Sequence, residues 1–337
     1  MIKLYKLVKN EFLKIVGKKR LYITLAVLFI MVAAFAYGQY DSLNRTKIQL
    51  ANRLGVTAIT DWKSIVGQQI LDYQARLDSP YQDEDRRAQT RVRMEQSQFY
   101  LDNNINTVDL TAANFTTKII SQSMSLFLPL LMILLAADLV SGEMGEGTIK
   151  FLLVQGIPRW KLLLSKYIAL LGLETVVLFF SFIFSILISG LLFGYGGWLE
   201  PVATGFKIVG GKLDTSHVTF VAQWEYILMA FGLAYYVSIV VGTISLMISV
   251  LVRSSIASLG IVLAFLIGGS QLTSYLATWQ LPRYLFTSNL NLMSYISGSL
   301  QSIQGMNMTF SITVLAVWTI TALVVSFVYF NKRDILV

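Results

Sequence analysis

The 337 residues are 55% hydrophobic and 14% charged, with a mean hydropathy of +0.62 and a net charge of +8. Soluble domains carry about 25% charged residues, so too little polar surface is left to keep a chain of this length in water. Cysteine is absent and His217 is the single histidine, which removes disulfides, thiol nucleophiles and multi-histidine metal sites.

The first twenty residues, MIKLYKLVKNEFLKIVGKKR, carry Lys3, Lys6, Lys9, Lys14, Lys18, Lys19 and Arg20 against one acid, Glu11. Leu4, Tyr5, Val8, Phe12 and Ile15 share a helical face, largely opposite the lysines. Such a basic amphipathic helix lies in the headgroup region, held by apolar burial and anionic lipid. A second reading is a charged terminus that orients the first span, and the two are compatible. The basic excess therefore points to a lipid surface and not to nucleic acid.

A spanning helix needs about 20 largely apolar residues. Six segments qualify: 21–40, 118–137, 167–193, 226–252, 256–277 and 310–330. Unpaired backbone groups are too costly in hydrocarbon for open strands, so the fold class is an all-α polytopic membrane protein of about six transmembrane helices. The first segment is too long, and too poor in small-residue cleavage signals, for an ordinary signal peptide. Lysines and arginines in the short flanks set the orientation. The N-terminus, the 138–166 loop (Lys150, Arg159, Lys161, Lys166), Arg253 and the tail 331–337 fall on one side, expected to be cytoplasmic.

The segment 41–117 is expected to be a helical extracytoplasmic insert. Leu43, Leu50, Leu54, Ile65, Ile70, Leu71 and Leu77 recur loosely at helical spacing, and Ser79-Pro80 separates two helices, with a hairpin as the natural arrangement. The run Arg86, Arg87, Arg91, Arg93 reads first as a solvated helix face and second as a contact for anionic substrate or lipid. Lys118 and Glu225 sit at span ends and mark the outer boundary. The 194–225 stretch reads as an outer loop. The 278–309 stretch contains Trp279, Pro282, Tyr284, Phe286 and Tyr295, which suits short interfacial or re-entrant helices; a simple outer loop is the other reading.

The 138–166 loop is DLVSGEMGEGTIKFLLVQGIPRWKLLLSK. Acids, glycines, an apolar patch, a Pro-Arg step and bases succeed one another here, which a plain turn does not need. The pattern Asp138, Glu143, Glu146, Gly147-Thr148, Leu152-Leu153, Pro158-Arg159 and Lys166 resembles the permease subunits of type-2 ABC transporters. With the basic N-terminal helix, about six spans and a basic C-terminal end, the resemblance covers the whole chain. It implies a coupling helix, over about 146–155, seated in a groove of a separate ATP-binding cassette ATPase. The residues implied in coupling are Glu143, Glu146, Gly147, Thr148, Phe151, Leu152, Leu153, Pro158 and Arg159. An exposed face of Phe151, Leu152 and Leu153 would supply an apolar docking surface, and Gly145, Gly147 and Gly156 would permit sharp turns.

Gly142 to Gly147 has the spacing of a phosphate loop, but Thr148-Ile149 follows where the lysine and hydroxyl residue belong. The chain is therefore expected not to be an enzyme by itself and to hold no cofactor, with ATP and Mg on the partner ATPase. Glu174 is the one acid well inside a span; it is expected to pair with a base such as Arg253, with facing a cavity or sitting near the inner interface as the other readings. Gly190-x-x-x-Gly194 could let helices approach closely.

The leading expectation is the permease subunit of an ATP-driven exporter in a bacterial-type cell membrane. It would pair with a second permease subunit, identical or related, and with ATPase subunits among membrane lipids. The alternatives are an ion-coupled secondary transporter, for which Glu174 is the candidate, and a sensory or structural membrane subunit. An intramembrane enzyme is disfavoured because H-E-x-x-H and cysteine are missing.

Overall fold

The computed structural model describes residues 4–17, 19–55, 61–79, 84–149, 156–209, 211–276, 279–299, 303 and 305–332. Helix α1 (Leu4–Gly17) precedes α2 (Arg20–Leu54), which begins as the first span and continues well past the expected end at residue 40. Leu43 and Leu50 therefore belong to an extension of the span, and Gly55, at φ 66°, closes it. Helices α3 (Trp62–Leu77) and α4 (Glu84–Asp102) pack on each other as the expected hairpin. Asp61 starts α3 by accepting from the Lys63 N–H at 3.1 Å, a side-chain N-cap.

The second span departs from a single rod. It consists of α5 (Ala112–Ser123) and α6 (Phe127–Ala136), separated by a turn. Next come the short α7 (Ser141–Gly145), α8 (Arg159–Phe193), α9 (Gln223–Leu251), α10 (Ser255–Tyr275), α11 (Met293–Ser297) and α12 (Met308–Lys332). Among the described residues, six helices are long and apolar enough to cross a membrane. The all-α architecture of the spans is as expected.

Burial orders these helices. The second span is 78% buried over its apolar window and the fifth only 17%, so α6 is central and α10 lies at the periphery. Helix α9 is the hub, in contact with α5, α6, α8, α10 and α12. Its buried side carries Ala230, Ala234, Ser238, Gly242, Ser245 and Ser249. Small residues let backbones approach in lipid, where apolar side chains gain nothing by leaving the solvent. Hydroxyls on these helices turn back to the preceding turn: Ser238 donates to the Ala234 carbonyl at 2.8 Å and Ser185 to that of Ser181 at 2.7 Å. This satisfies the polar atom without a second helix.

The 194–225 loop is not irregular. It holds two antiparallel ladders, β1 (Pro201–Thr204) with β4 (Thr219–Ala222) and β2 (Lys207–Val209) with β3 (Lys212–Asp214). Val202 faces Val221, and Ile208 faces Leu213. Gly205, at φ 85°, is required here because a Cβ would run into the His217 carbonyl. Helix α4 is the post of this end of the molecule. Glu95 accepts from the Leu213 N–H at 2.6 Å, and Gln96 donates to the Ser297 and Gly298 carbonyls at 3.1 and 2.9 Å. Phe99 meets Phe206 edge-on at 5.3 Å. The insert and both later loops thus form one cap. Arg86, Arg91 and Arg93 are exposed on α4, as a solvated face requires, while Arg87 donates to the Ser79 carbonyl.

Candidate functional site: a buried ion ring beneath the 138–166 loop

At the other end of the bundle α1 lies against α8 and α2. Its buried residues are Leu7, Glu11 and Ile15, one per turn. This face is rotated from the expected one: Tyr5 is 74% exposed, and Leu4, Val8 and Phe12 are half-buried at its flank. The rotation exists because Glu11, the lone acid of the segment, is turned inward.

Glu11 meets a fully buried base. Lys166 of α8 donates to Glu11 Oε2 at 2.7 Å and pairs with Glu143 Oε1 at 2.8 Å. Lys14 closes the ring, 2.9 Å from Glu11 Oε1 and 2.9 Å from Glu143 Oε1. Two acids and two bases alternate, so the ring is neutral. That is the condition under which charges tolerate burial, since an isolated ion costs several kcal/mol or more. Burial alone would pull the Lys14 ammonium down, but Glu11 and then Glu143 outweigh it and hold the group above the ordinary lysine value. Glu143 Oε2 has no hydrogen-bond partner among the described residues.

Two further contacts fasten the same loop. Arg20, at the start of α2, forms an ion pair with the buried Asp138. Ser249 Oγ, on α9, accepts from the Val140 and Ser141 N–H groups at 3.1 and 3.0 Å. These donors would otherwise be orphaned at the N-terminus of α7. The loop is therefore tied to α1, α2, α8 and α9 at once.

The expected coupling residues distribute as follows. Glu143 lies in the ring. Glu146, Gly147 and Thr148 form a turn after α7, with Gly147 at φ 70° and Thr148 donating to the Glu143 carbonyl at 3.4 Å. The helix expected over 146–155 therefore does not begin at 146: residues 146–148 are a turn, Ile149 is helical, and 150–155 lie outside the described residues. Phe151, Leu152 and Leu153 lie outside the described residues. Pro158 is the N-cap of α8, and Arg159, in its first turn, donates to the Asn331 carbonyl at 3.1 Å. Sequence reasoning did not assign Glu11 and Lys14 to the site, although a single acid recurring with Leu7 and Ile15 every fourth residue was a signal.

Glu174 departs from its expected pairing. It is fully buried on α8 against Gly242 of α9, where an added Cβ would overlap its Oε1. Neither carboxylate oxygen has a hydrogen-bond partner among the described residues. Arg253 is exposed and lies past the end of α9, whose last residue, Leu251, is already about 13.5 Å along the helix from Gly242 at 1.5 Å per residue. Gly190 likewise serves another purpose than helix crossing, since its open side is filled by the Tyr195 ring. Glu225 does mark the start of α9, accepting from the Ala222 N–H at 3.4 Å. A mainly apolar cavity of about 320 Å³ opens at the break in the second span, between α2, α6 and Ser181 of α8.

Comparison with known proteins bears on this arrangement. A family model described as a protein of unknown function, DUF2705, matches residues 88–336. The chain belongs to the DUF2705 family. It is 26% identical over 332 residues to the uncharacterized protein YhcI of Bacillus subtilis, covering 98% of each chain. It is 27% identical over 215 residues to the uncharacterized membrane protein YdbK of the same organism, covering 63% of this chain and 80% of that one. With its six apolar helices, this DUF2705 member is a multi-pass membrane protein, similar in sequence to a Bacillus membrane protein.

Proposed function

We propose that this DUF2705 protein is the permease subunit of an ATP-driven exporter of the type-2 ABC class. It would act in the cell membrane with separate ATPase subunits and a second permease subunit. The observation that carries this reading is the ion ring. A loop that transmits a push from a partner must be rigidly joined to several spans, and the 138–166 loop is joined to α1, α2 and α8 through ion pairs and to α9 through the Ser249 hydroxyl. On this reading the loop end, with α1, faces the cytoplasm, and the cap built on α4 faces outward. ATP and Mg belong to the partner; this chain's part is docking, transmission and the passage itself, with no covalent chemistry. The substrate class would be peptide-, antibiotic- or lipid-like, as the resemblance in the loop suggests.

A second reading, an ion-coupled secondary transporter, is favoured by one feature: Glu174, buried within a span with no hydrogen-bond partner among the described residues, in a bundle whose second span is broken. Unpaired ionisable groups near interrupted helices are where such carriers bind their coupling ions.

One experiment separates the two. The tagged chain is purified in mild detergent from its native membranes, and the eluate is assayed for a co-purifying ATP-binding cassette ATPase. The same is done for a variant with Phe151→Asp and Leu152→Asp. Burying a large apolar side chain contributes about 1.5–3 kcal/mol, so the double change should weaken ATPase association by roughly a hundred-fold or more while insertion remains normal. An ATPase retained at unchanged affinity removes the assigned docking face. Transport that persists without any ATPase supports the secondary carrier instead.

A further inference from the structure

Where the cap meets the spans, the extension of α2, helix α3, the 103–111 segment and α5 enclose a cavity of about 180 Å³. Its lining is polar: Gln39, Ser42, Thr46, Gln69, Thr107 and Lys118 all contribute. Among the described residues Lys118 is the only charged one lining it, and its ammonium has no ion pair or hydrogen bond with any of them. The neighbouring acids are occupied elsewhere. Asp41 takes Arg45 at 2.7 Å, Asp72 takes Gln68 at 3.0 Å, and Asp109 takes Asn106 at 2.6 Å with Lys47 at 3.7 Å. Lys118 is also partly sequestered, since α5 packs on α8 and α9 and buries Thr116, Thr117, Ile119 and Ile120 around it.

A half-buried cation without a counter-charge is an unfavourable arrangement unless something supplies the charge. The cavity has the room, at several times the roughly 30 Å³ that one water occupies in the liquid. Its rim lies at the end of the apolar stretch of α2, just past Tyr40, the level at which phospholipid headgroups sit beside a span. We propose that this cavity binds a phosphate-class oxyanion. Lys118 supplies the counter-charge and the Gln39 and Gln69 amides, with the Ser42 and Thr107 hydroxyls, supply further donors; the Thr46 hydroxyl is already donated to the Ser42 carbonyl at 2.9 Å. The same chemistry is presented by a free phosphate and by the phosphodiester of an anionic lipid, and the two are distinguishable.

The intact protein in neutral detergent is titrated with sodium phosphate against sodium chloride at matched ionic strength, following thermal unfolding. In parallel, nanodiscs of phosphatidylcholine alone are compared with nanodiscs containing phosphatidylglycerol. Wild-type protein should show a saturable upward shift in Tm with phosphate, with phosphatidylglycerol, or with both. Lys118→Met should lose that shift or weaken the apparent affinity at least ten-fold, and Lys118→Arg should keep it. A response to phosphate alone identifies a soluble anion, and a response to phosphatidylglycerol alone identifies a lipid headgroup. Should Lys118→Met fold poorly, Gln69→Leu takes its place and should weaken the same response. Equal behaviour of wild-type and variant protein towards both probes overturns the proposal.

Discussion

The ion ring shows how one side chain's identity decides what its neighbours must be. Lys166 is fully buried, so among the described residues Glu11 and Glu143 stand in for its solvent. Lys166→Met would leave two buried carboxylates facing each other with Lys14 alone between them. Removing one partner of a buried ion pair costs about 3–5 kcal/mol, and that is the expected loss for Lys166→Met. Lys14 has a side chain 33% exposed, so water screens its removal and Lys14→Met should cost nearer the 1 kcal/mol or less typical of exposed pairs. Unfolding of the two variants in mixed micelles by added denaturing detergent measures the difference. A ring of equal members would give equal losses. Glu174 follows the opposite rule: its space is made by the absence of a Cβ at Gly242, and none of the described residues donates to it.

At the scale of elements, α4 holds the cap together, and Tyr100 reports on it. The ring of Tyr100 lies 6.0 Å from that of Phe206, and burial pushes its phenol up to about 12. A folded-state value above the unfolded one, near 10, has a definite sign. The contribution to stability is complete below about pH 10 and is lost as the pH rises towards 12, because the unfolded chain releases the proton first. An absorbance titration of the phenolate should therefore find one tyrosine near 12 in native protein, and cap stability should fall over that interval. Tyr100→Phe, which has nothing to ionise, should flatten that part of the profile.

Other elements differ in how far local sequence defined them. The α3–α4 hairpin was legible because Ser79-Pro80 interrupts a helical pattern, and Asp61 supplies a cap with local atoms. The strands were not. Lys207, Val209, Lys212 and Asp214 show no sustained alternation of apolar and polar residues, and the ladders gain their support from Glu95 and Phe99 on α4, more than a hundred residues away. The break in the second span was hidden for a related reason: Met124-Ser125-Leu126 contains no charge, glycine or proline, so hydropathy averaged over the span continues the rod.

For the whole molecule, the span count and the grouping of its two ends are testable together. The native chain has no cysteine, so single cysteines introduced at Asp61 and Gln89 label without background. On the proposed orientation both react with an impermeant reagent added from outside intact cells, whereas a cysteine at Glu146 reacts only after permeabilisation. Labelling of Asp61→Cys and Gln89→Cys only from the cytoplasmic side would reverse the orientation.

Sequence alone was sufficient for six apolar helices, for a helical insert and for the loop at 138–166 as a segment set apart. These are carried by length, hydropathy and short-range punctuation, quantities summed along the chain. Tertiary structure decided that Glu11 faces Lys166 across 155 positions, that Lys118 opens on a polar cavity, and that Glu174 lies against a glycine and not an arginine. Each of these is a matter of which charged group finds a partner after the helices have packed. In a low-dielectric interior that choice depends on a few ångströms of separation, which no pattern along one strand of sequence contains.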